Sequence, residues 1–489
     1  MLFNSHIFIL LFLPLLLAGW YFLNWKKKFQ LAQGYLIGMS LWFYAYANLQ
    51  YLWLLLFSCL IGWLLSCVPE KISSEKGKKV LTGVGCVFHL GLLGYFKYSN
   101  FFLENLNTVF HTDFSMLQIL LPVGISFYTF QQLAYLIDRC RGDAPRDSFF
   151  DYLTFMVYFP QLLQGPILLR SEFMGQLKEP ERRRFHAERF SEGIQFFVFG
   201  LAKKVLLADT LAKAVNYGYS NVSMLDSISA LLLAVGYLTE LYFDFSGYCD
   251  MAVGLGKMIG LEVAENFDAP FHSASVKEFW RRWHMTLGRF FTRYVYIPLG
   301  GNRRGKMRTL CNVMIVMLLS GLWHGAAWTF VLWGFLHGVG MVWDNLEHPH
   351  LPKKWMRQAA TFAYVCMTFV FFRAESIAQG VDVLKSIVSL KWNGFVFQMA
   401  SALDLTEFYM ITKALSMKLP GLLSWFWLGI FVVLIAICFR VLSGKKVSGV
   451  VALQKQKGYG RLYPVLLAVL FTWSMISMTG VSEYLYFSF

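Results

Sequence analysis

Long apolar runs separated by short basic clusters constrain this chain more than any other feature. Runs close to the 20 or so residues that cross a bilayer recur from residues 7–25 to residues 462–480. Only 15% of the residues are charged and 18% are aromatic, whereas a soluble domain has about 25% charged residues. The sequence therefore predicts an all-α polytopic membrane protein with about ten to twelve transmembrane helices.

The net charge of +15 is distributed in the basic clusters between the apolar runs. This is the positive-inside pattern, in which basic loops face the cytoplasm and anionic lipid. We therefore expect membrane lipids, and not a nucleic acid, as the partner of this charge. The run at residues 7–25 is followed, not preceded, by Lys26, Lys27 and Lys28, which favours a retained span over a signal peptide.

The stretch 309–346 is apolar, long enough for two spans, and carries His324 within Trp323-His324-Gly325. It predicts two spans or a broken pair of helices, with the reversal near His324. A titratable imidazole at membrane depth is costly unless it has a function or a partner. Histidine is also the natural general base near neutral pH, so His324 is the leading catalytic candidate. His337 and His89 fit packing roles better.

The central region 271–301 is more polar than its surroundings. Apolar residues at spacings of three and four predict one amphipathic helix over 276–291, lying in the cytoplasmic interface. Basic side chains in and after this segment could hold the phosphates of a carrier such as coenzyme A. Glu240 and Asp244 are one helical turn apart; Arg281 or Arg282 are their predicted partners, and contact with water at the interface is the alternative.

Two further patterns limit the architecture and the chemistry. Residues 151–168 contain Pro160, Gly165 and Pro166 within an apolar run. This stretch is either a re-entrant segment or a short kinked helix, and the sequence does not decide between the two.

The eight cysteines show no CxxC spacing, so no metal site is predicted. Nucleotide-loop, serine-hydrolase and zinc-protease motifs do not occur in the sequence.

Several short segments together resemble the membrane-bound O-acyltransferase superfamily, and within it the bacterial branch that acetylates alginate. They are Tyr-Phe-Asp-Phe-Ser-Gly-Tyr at 242–248, Glu-Asn-Phe at 265–267, Glu-Phe-Trp-Arg-Arg-Trp-His at 278–284, Tyr-Ile-Pro-Leu-Gly-Gly-Asn-Arg at 296–303, Gly-Leu-Trp-His-Gly-Ala at 321–326, Phe-Arg-Ala-Glu at 372–375 and the aromatic tail 484–489. The chain departs from the family at Thr292 and Arg293, where Arg-Asp is usual, so an ion pair of that aspartate is not expected here.

The resemblance implies a ring of helices around a thin central tunnel, with re-entrant and interfacial helices. It implies a single multi-pass domain over residues 1–489, with a catalytic core at about 115–346. It also implies that His324 is the essential catalytic residue and that His284 is the second catalytic histidine. Donor binding is assigned to Arg281, Arg282, Asn302 and Arg303.

The function implied is that of a membrane O-acetyltransferase. It would move acetyl from a cytoplasmic donor, acetyl-CoA or another acyl thioester, across the inner membrane for O-acetylation of an exported polysaccharide such as alginate. Periplasmic acetyltransferase proteins would be partners, and no permanent cofactor is expected. The alternatives are D-alanyl transfer to teichoic acid and peptidoglycan O-acetylation. A transporter or flippase is disfavoured because the sequence shows no internal repeat.

Overall fold

The computed structural model describes residues 1–346, 353–442, 446–458, 460 and 462–478, and within these ranges every regular element is a helix. The first α-helices are α1 (Leu13–Trp25), α2 (Phe29–Asn48), α3 (Leu52–Ser66), α4 (Glu75–Leu93), α5 (Ser99–Phe110), α6 (Ile125–Arg141), α7 (Phe149–Val157), α8 (Phe159–Leu162), α9 (Arg170–Leu177), α10 (Ala187–Ala202), α11 (Asp209–Ser220) and α12 (Ser227–Ile259). They are followed by α13 (Val276–Arg282), α14 (Met285–Phe291), α15 (Lys306–His324), α16 (Trp328–Asn345), α17 (Lys354–Arg373), α18 (Ile377–Val388), α19 (Phe395–Ser401), α20 (Tyr409–Lys418), α21 (Pro420–Leu442), α22 (Val447–Lys457) and α23 (Leu462–Ser477). The aromatic tail 484–489 lies outside the described residues.

In the described part of the chain, six helices are long and apolar enough to cross a membrane: Phe8–Trp25, Leu49–Lys71, Glu75–Phe110, Ser227–Ile259, Lys306–His324 and Pro420–Val441. The protein is thus an all-α polytopic membrane protein. The further crossings in the predicted ten to twelve stay predictions, and so does the ring around a central tunnel.

Two helix boundaries differ from the limits of the apolar runs. The helix Glu75–Phe110 is continuous through a π-helical turn at Gly94–Tyr98. The next α-helix, α6, begins only at Ile125. Gly124, which precedes it, has a φ of +77°, a left-handed conformation that glycine adopts without steric cost and that sets the start of the helix.

The chain folds into two compact units, each built from three segments that alternate along the sequence. The first unit comprises Met1–Val198, Tyr248–Asn266 and Thr286–Pro298. The second comprises Phe199–Gly247, Phe267–Met285 and Leu299–Phe489. Both histidines of the predicted site belong to the second unit.

In the first unit, the segment predicted to be re-entrant or kinked is broken twice. α7 ends at Val157, Tyr158 leaves the helical conformation (ψ 108°), and α8 continues for one turn. After α8 the backbone is not helical until Arg170, although residues 159–168 are buried. The guanidinium of Arg289 stabilises this stretch, because it pairs with Glu172 and donates to the carbonyl oxygen of Ile167 at 3.1 Å. The break is confirmed, and a dip into the membrane stays a prediction.

In the second unit, α15 and α16 form a tightly packed hairpin, which confirms the predicted broken pair. A Cβ added to Gly334 would lie 2.5 Å from the carbonyl oxygen of Met317, and one added to Gly321 would lie 2.3 Å from that of Phe330. Only glycine at both positions allows the two backbones to approach this closely. The connection between the helices, Gly325 to Ala327, begins and ends in extended backbone, and it places His324 at the reversal.

The predicted continuous helix over 276–291 is wrong. The structure has two short helices, α13 and α14, and between them His284 adopts a φ of +45°. The amide of Asp268 donates to the carbonyl oxygen of Arg282 at 2.9 Å, which satisfies an acceptor that the end of α13 would otherwise leave open. Phe279 and Trp283 are also buried within the protein, so this segment does not present its apolar side chains to lipid as an interfacial helix would.

Candidate active site

His324 is the last residue of α15 and is only 4% exposed. Its imidazole lies among aromatic rings, with centroid distances of 5.0 Å to Trp323 and 5.2 Å to both Trp333 and Phe372. The glycine that follows His324 is required by this packing. A Cβ at Gly325 would lie 2.1 Å from the ring of Phe330, so any other residue would displace an aromatic ring next to the histidine.

His284 is the second imidazole of this site. Its ring centroid lies 6.3 Å from that of His324 and 6.1 Å from that of Trp323. Phe245 packs edge-on against it at 4.8 Å. His284 lies outside the six candidate spans, and its burial lowers the pKa of the imidazole to about 3. His284 is therefore neutral at pH 7, and the structure brings together the two histidines that the sequence singled out.

Phe245 belongs to the Tyr-Phe-Asp-Phe-Ser-Gly-Tyr segment, which the structure explains in part. Gly247 lets α12 approach its neighbour closely, because a Cβ there would lie 2.7 Å from the carbonyl oxygen of Gly200. The neighbouring backbone at Lys203–Ala208 is a π-helical turn between α10 and α11. Such turns occur mostly as one-turn interruptions of α-helices, frequently at functional sites.

The predicted partners of Asp244 are wrong. Asp244 pairs with Lys204 at 2.6 Å, and the same ammonium reaches Asp209 at 2.7 Å. Arg282 instead pairs with Glu278 at 2.8 Å, which is one turn away on α13. The basic pair at 203–204 within an apolar stretch was the available sequence signal, but the sequence does not show which helix meets which across the bundle.

His337 has the packing role that the sequence favours. The indole N–H of Trp280 donates to Nδ1 of His337 at 3.3 Å, and Nε2 lies 2.9 Å from Oγ1 of Thr368. The Thr368 hydroxyl can donate to the carbonyl oxygen of Val365 at 2.8 Å. These bonds assign the proton to Nε2, because Nδ1 must accept. The imidazole is therefore neutral and links α13, α16 and α17.

The four residues predicted to bind the donor have different environments. Arg281, Asn302 and Arg303 are exposed, whereas Arg282 is partly buried by its pairing with Glu278. The loop that carries Asn302 and Arg303 is fixed to α15. The side-chain amide of Asn312 in that helix donates to the carbonyl oxygen of Gly301 at 3.0 Å. Donor binding by these residues stays a prediction.

Sequence reasoning missed two side chains that contact His324, namely Trp333 and Phe372. Phe372 opens the Phe-Arg-Ala-Glu segment, whose likeness to the family implied no particular role. Trp333 precedes His337 by one helical turn on α16 and so shares its face, which was the available signal. Together these rings exclude water from the imidazole, and a low local dielectric strengthens the hydrogen bonds made there.

The sequence profile of the membrane-bound O-acyltransferase family matches residues 142–379, which include His284, His324, Trp333 and Phe372. The peptidoglycan O-acetyltransferase of Helicobacter pylori is 36% identical over 423 residues, which cover 80% of each chain. The chain belongs to the membrane-bound O-acyltransferase family. This membership makes it a multi-pass membrane O-acyltransferase.

Two other relatives indicate the range of chemistry within the family. The probable alginate O-acetylase of Azotobacter vinelandii is 39% identical over 389 residues, covering 77% of this chain and 76% of the relative. The teichoic acid D-alanyltransferase of Streptococcus thermophilus is 28% identical over 253 residues, covering 49% of this chain and 58% of the relative. Relatives named for O-acetyl transfer are thus similar over more of the chain than this D-alanyl transferase.

Proposed function

We propose that this O-acyltransferase moves acetyl groups from cytoplasmic acetyl-CoA across the inner membrane, for O-acetylation of an exported polysaccharide such as alginate. The observation that carries the proposal is the pair of buried imidazoles, 6.3 Å apart, at the reversal of the α15–α16 hairpin. The names of the relatives that are similar over three quarters of the chain support acetyl as the group transferred.

His324 acts as the general base in this proposal. It takes the proton of an acceptor hydroxyl while the oxygen attacks the thioester carbon, and it then returns that proton to the departing thiolate. General acid–base catalysis of this kind contributes about 10²–10⁴-fold to a rate. His284, neutral at pH 7, completes the site as a second imidazole that orients the reacting groups.

The donor phosphates are assigned to Arg281, Arg282, Asn302 and Arg303. Guanidinium groups bind phosphate through paired, charge-assisted hydrogen bonds, and three of these side chains are exposed. The acceptor hydroxyl belongs either to the polymer or to a periplasmic acetyltransferase partner that completes the transfer. No tightly bound cofactor or metal takes part in the proposed reaction.

Peptidoglycan is the second candidate acceptor. The specific observation in its favour is the Helicobacter pylori relative, which matches 80% of this chain against 77% for the Azotobacter vinelandii relative. Isolated membranes given purified alginate precursor and peptidoglycan, each with its own acetyltransferase partner, would show which polymer gains alkali-labile acetyl. If the chain transfers D-alanine instead, the acceptor polymer should be labelled from a D-alanyl carrier protein and not from acetyl-CoA.

The test of the reaction itself uses membranes that contain the full chain and radiolabelled acetyl-CoA. We expect the wild type to transfer or hydrolyse the acetyl group and the H324A variant to lose at least about 100-fold in rate. The matched control is H111A, because His111 is exposed and lies in the first unit. Full acetylation by an H324A protein that is inserted normally would refute the assignment.

A further inference from the structure

The indole N–H of Trp333 is a buried donor that the protein leaves unused. Trp333 is 0% exposed, and its Nε1 has no hydrogen-bond partner among the residues that the structure describes. A buried donor without a partner destabilises a folded protein, so such groups are rare and those that occur call for an explanation. A catalytic role is one such explanation.

Two other indoles of this chain, one buried and one partly buried, have partners for their N–H groups. Trp20 donates its N–H to the carbonyl oxygen of Ile259 at 3.1 Å, and Trp280 donates to His337 at 3.3 Å. Trp280 is the closer comparison, because its ring packs against that of Trp333 with centroids 5.5 Å apart. The unused N–H is thus a property of position 333, not of indoles in this region.

The rings that contact Trp333 are aromatic, and two of them are imidazoles. Its ring contacts Phe369 and Phe372 at 5.5 Å and 5.1 Å, and His337 at 4.8 Å. Both nitrogens of His337 are already engaged, one by Trp280 and the other by Thr368. The second imidazole that contacts Trp333 belongs to the candidate base His324, whose ring stands perpendicular to the indole at 5.2 Å.

We propose that Trp333 is a further catalytic residue, whose indole N–H donates a hydrogen bond to the carbonyl oxygen of the bound acyl thioester. This inference rests on the proposed function. When the acceptor oxygen attacks the carbonyl carbon, its proton passes to His324 and the carbonyl π electrons move onto the oxygen. The N–H of Trp333 stabilises that negatively charged oxygen by donating a hydrogen bond to it. The intermediate collapses with cleavage of the carbon–sulfur bond, and the thiolate takes the proton from His324.

The indole N–H of Trp333 is preorganised for this role. A donor stabilises a developing oxyanion best when it is fixed before the reaction and shielded from water, because no solvent or side chain must then reorient. The indole is held by rings on several sides, and the side chains around it exclude water. In the absence of substrate the buried N–H has no acceptor, which costs free energy. That cost is offset when negative charge develops on the carbonyl oxygen of the thioester.

The test replaces the N–H without changing the shape of the ring. Trp333 is exchanged for 3-benzothienylalanine, in which sulfur replaces the indole N–H, and for phenylalanine in a second variant. The same benzothienyl exchange at Trp20, in the first unit, is the matched control. Transfer from radiolabelled acetyl-CoA is measured in membranes as kcat and KM, with the thermal stability of each purified protein.

We expect both Trp333 variants to lose about 100-fold or more in kcat, with KM changed by less than about threefold and the Trp20 control unaffected. A benzothienyl variant with kcat within about threefold of the wild type would overturn the inference, because the ring and not its N–H would then matter. That result leaves the proposed function intact, since His324 would still be required. If the H324A variant instead transferred acetyl at the wild-type rate, the proposed function itself would be refuted.

Discussion

The ammonium group of Lys204 and the carboxylate of Asp244 meet at 2.6 Å inside the second unit, where their side chains are 2% and 1% exposed. The pair holds the π-helical turn at 203–208 against α12, the helix that presents Phe245 to His284. A buried charge pair contributes little net stability, but the loss of one partner leaves a buried charge that is costly. The pair thus contributes more to the position of the turn at 203–208 against α12 than to the net stability of the protein.

Removal of Lys204 is expected to destabilise the protein strongly. K204M leaves the carboxylates of Asp244 and Asp209 without their ammonium, and the expected loss is about 3–5 kcal/mol. The triple variant K204M/D244N/D209N removes all three charges and should recover much of that loss. K257M is the control, since the Lys257–Glu192 pair is more exposed and should cost no more than about 1 kcal/mol. Thermal unfolding in detergent measures the stability of each variant. Equal losses of stability in K204M and in the triple variant would show that unpaired carboxylates are not the cause of the loss.

The stability of the wild type should depend on His284 at acidic pH. An unfolded histidine binds a proton below about pH 6.5, whereas burial holds the pKa of His284 at about 3. The unfolded state therefore binds more protons between these values, and stability is full above pH 6.5 and falls as the pH is lowered towards 3. At pH 5 the loss is on the order of 2 kcal/mol. The free energy of unfolding of the wild type and of H284N, measured from pH 7.5 to 4.5, tests this. The wild type should lose more stability than H284N as the pH falls.

The conformation of His284 predicts a further difference between substitutions. A φ of +45° is tolerated by glycine and asparagine but strained for β-branched residues. H284G and H284N should therefore insert and fold like the wild type while losing transfer activity, whereas H284V should also lose folded yield. Size-exclusion profiles of purified protein, together with the labelled acetyl assay, separate the two effects. An H284V protein with normal yield would contradict the left-handed backbone.

The hairpin contact predicts that Gly334 cannot be replaced. A Cβ there would lie 2.5 Å from the carbonyl oxygen of Met317, a backbone atom that cannot move without separation of α15 from α16. G334A should lower both folded yield and transfer rate, because His324 lies at the end of α15. The control is G429A, where no heavy atom lies within 4 Å of the added Cβ and where alanine favours the helix by about 1 kcal/mol. A G334A protein as stable as G429A would refute the close contact.

His337 should prove to be structural. H337F removes the acceptor of the Trp280 N–H and the partner of Thr368. It should cost about 1–3 kcal/mol, because the partly buried indole N–H of Trp280 loses its acceptor. Transfer per folded molecule should stay within about threefold of the wild type, because the two nitrogens are already engaged in packing contacts. Activity normalised to monodisperse protein tests this. A fall comparable to that of H324A would assign His337 to the reaction.

The sequence predicted the elements that depend on local pattern. The α15–α16 pair, its reversal near His324 and the pairing of His324 with His284 followed from apolar length, small residues and motif likeness. The break at His284 was not predictable, since a left-handed residue leaves the three-and-four spacing on either side intact. The partner of Asp244 was not predictable either, because Lys204 is distant in sequence and only the packing of helices brings them together. Trp333 was missed because an aromatic residue in an apolar helix carries no distinct signal.

The π-helical turn at Lys203–Ala208 has a consequence for how this segment tolerates length changes. A π turn accommodates one more residue than an α-helix would in the same rise. Deletion of a single residue there would therefore give a more regular helix and leave the residues on either side close to their present orientation. Deletion of a residue in the regular part of α11 would instead rotate everything beyond it by about 100°. The irregular turn thus takes up one residue that a regular connection between α10 and α11 would not need, and a one-residue deletion is better tolerated in the turn than in α11.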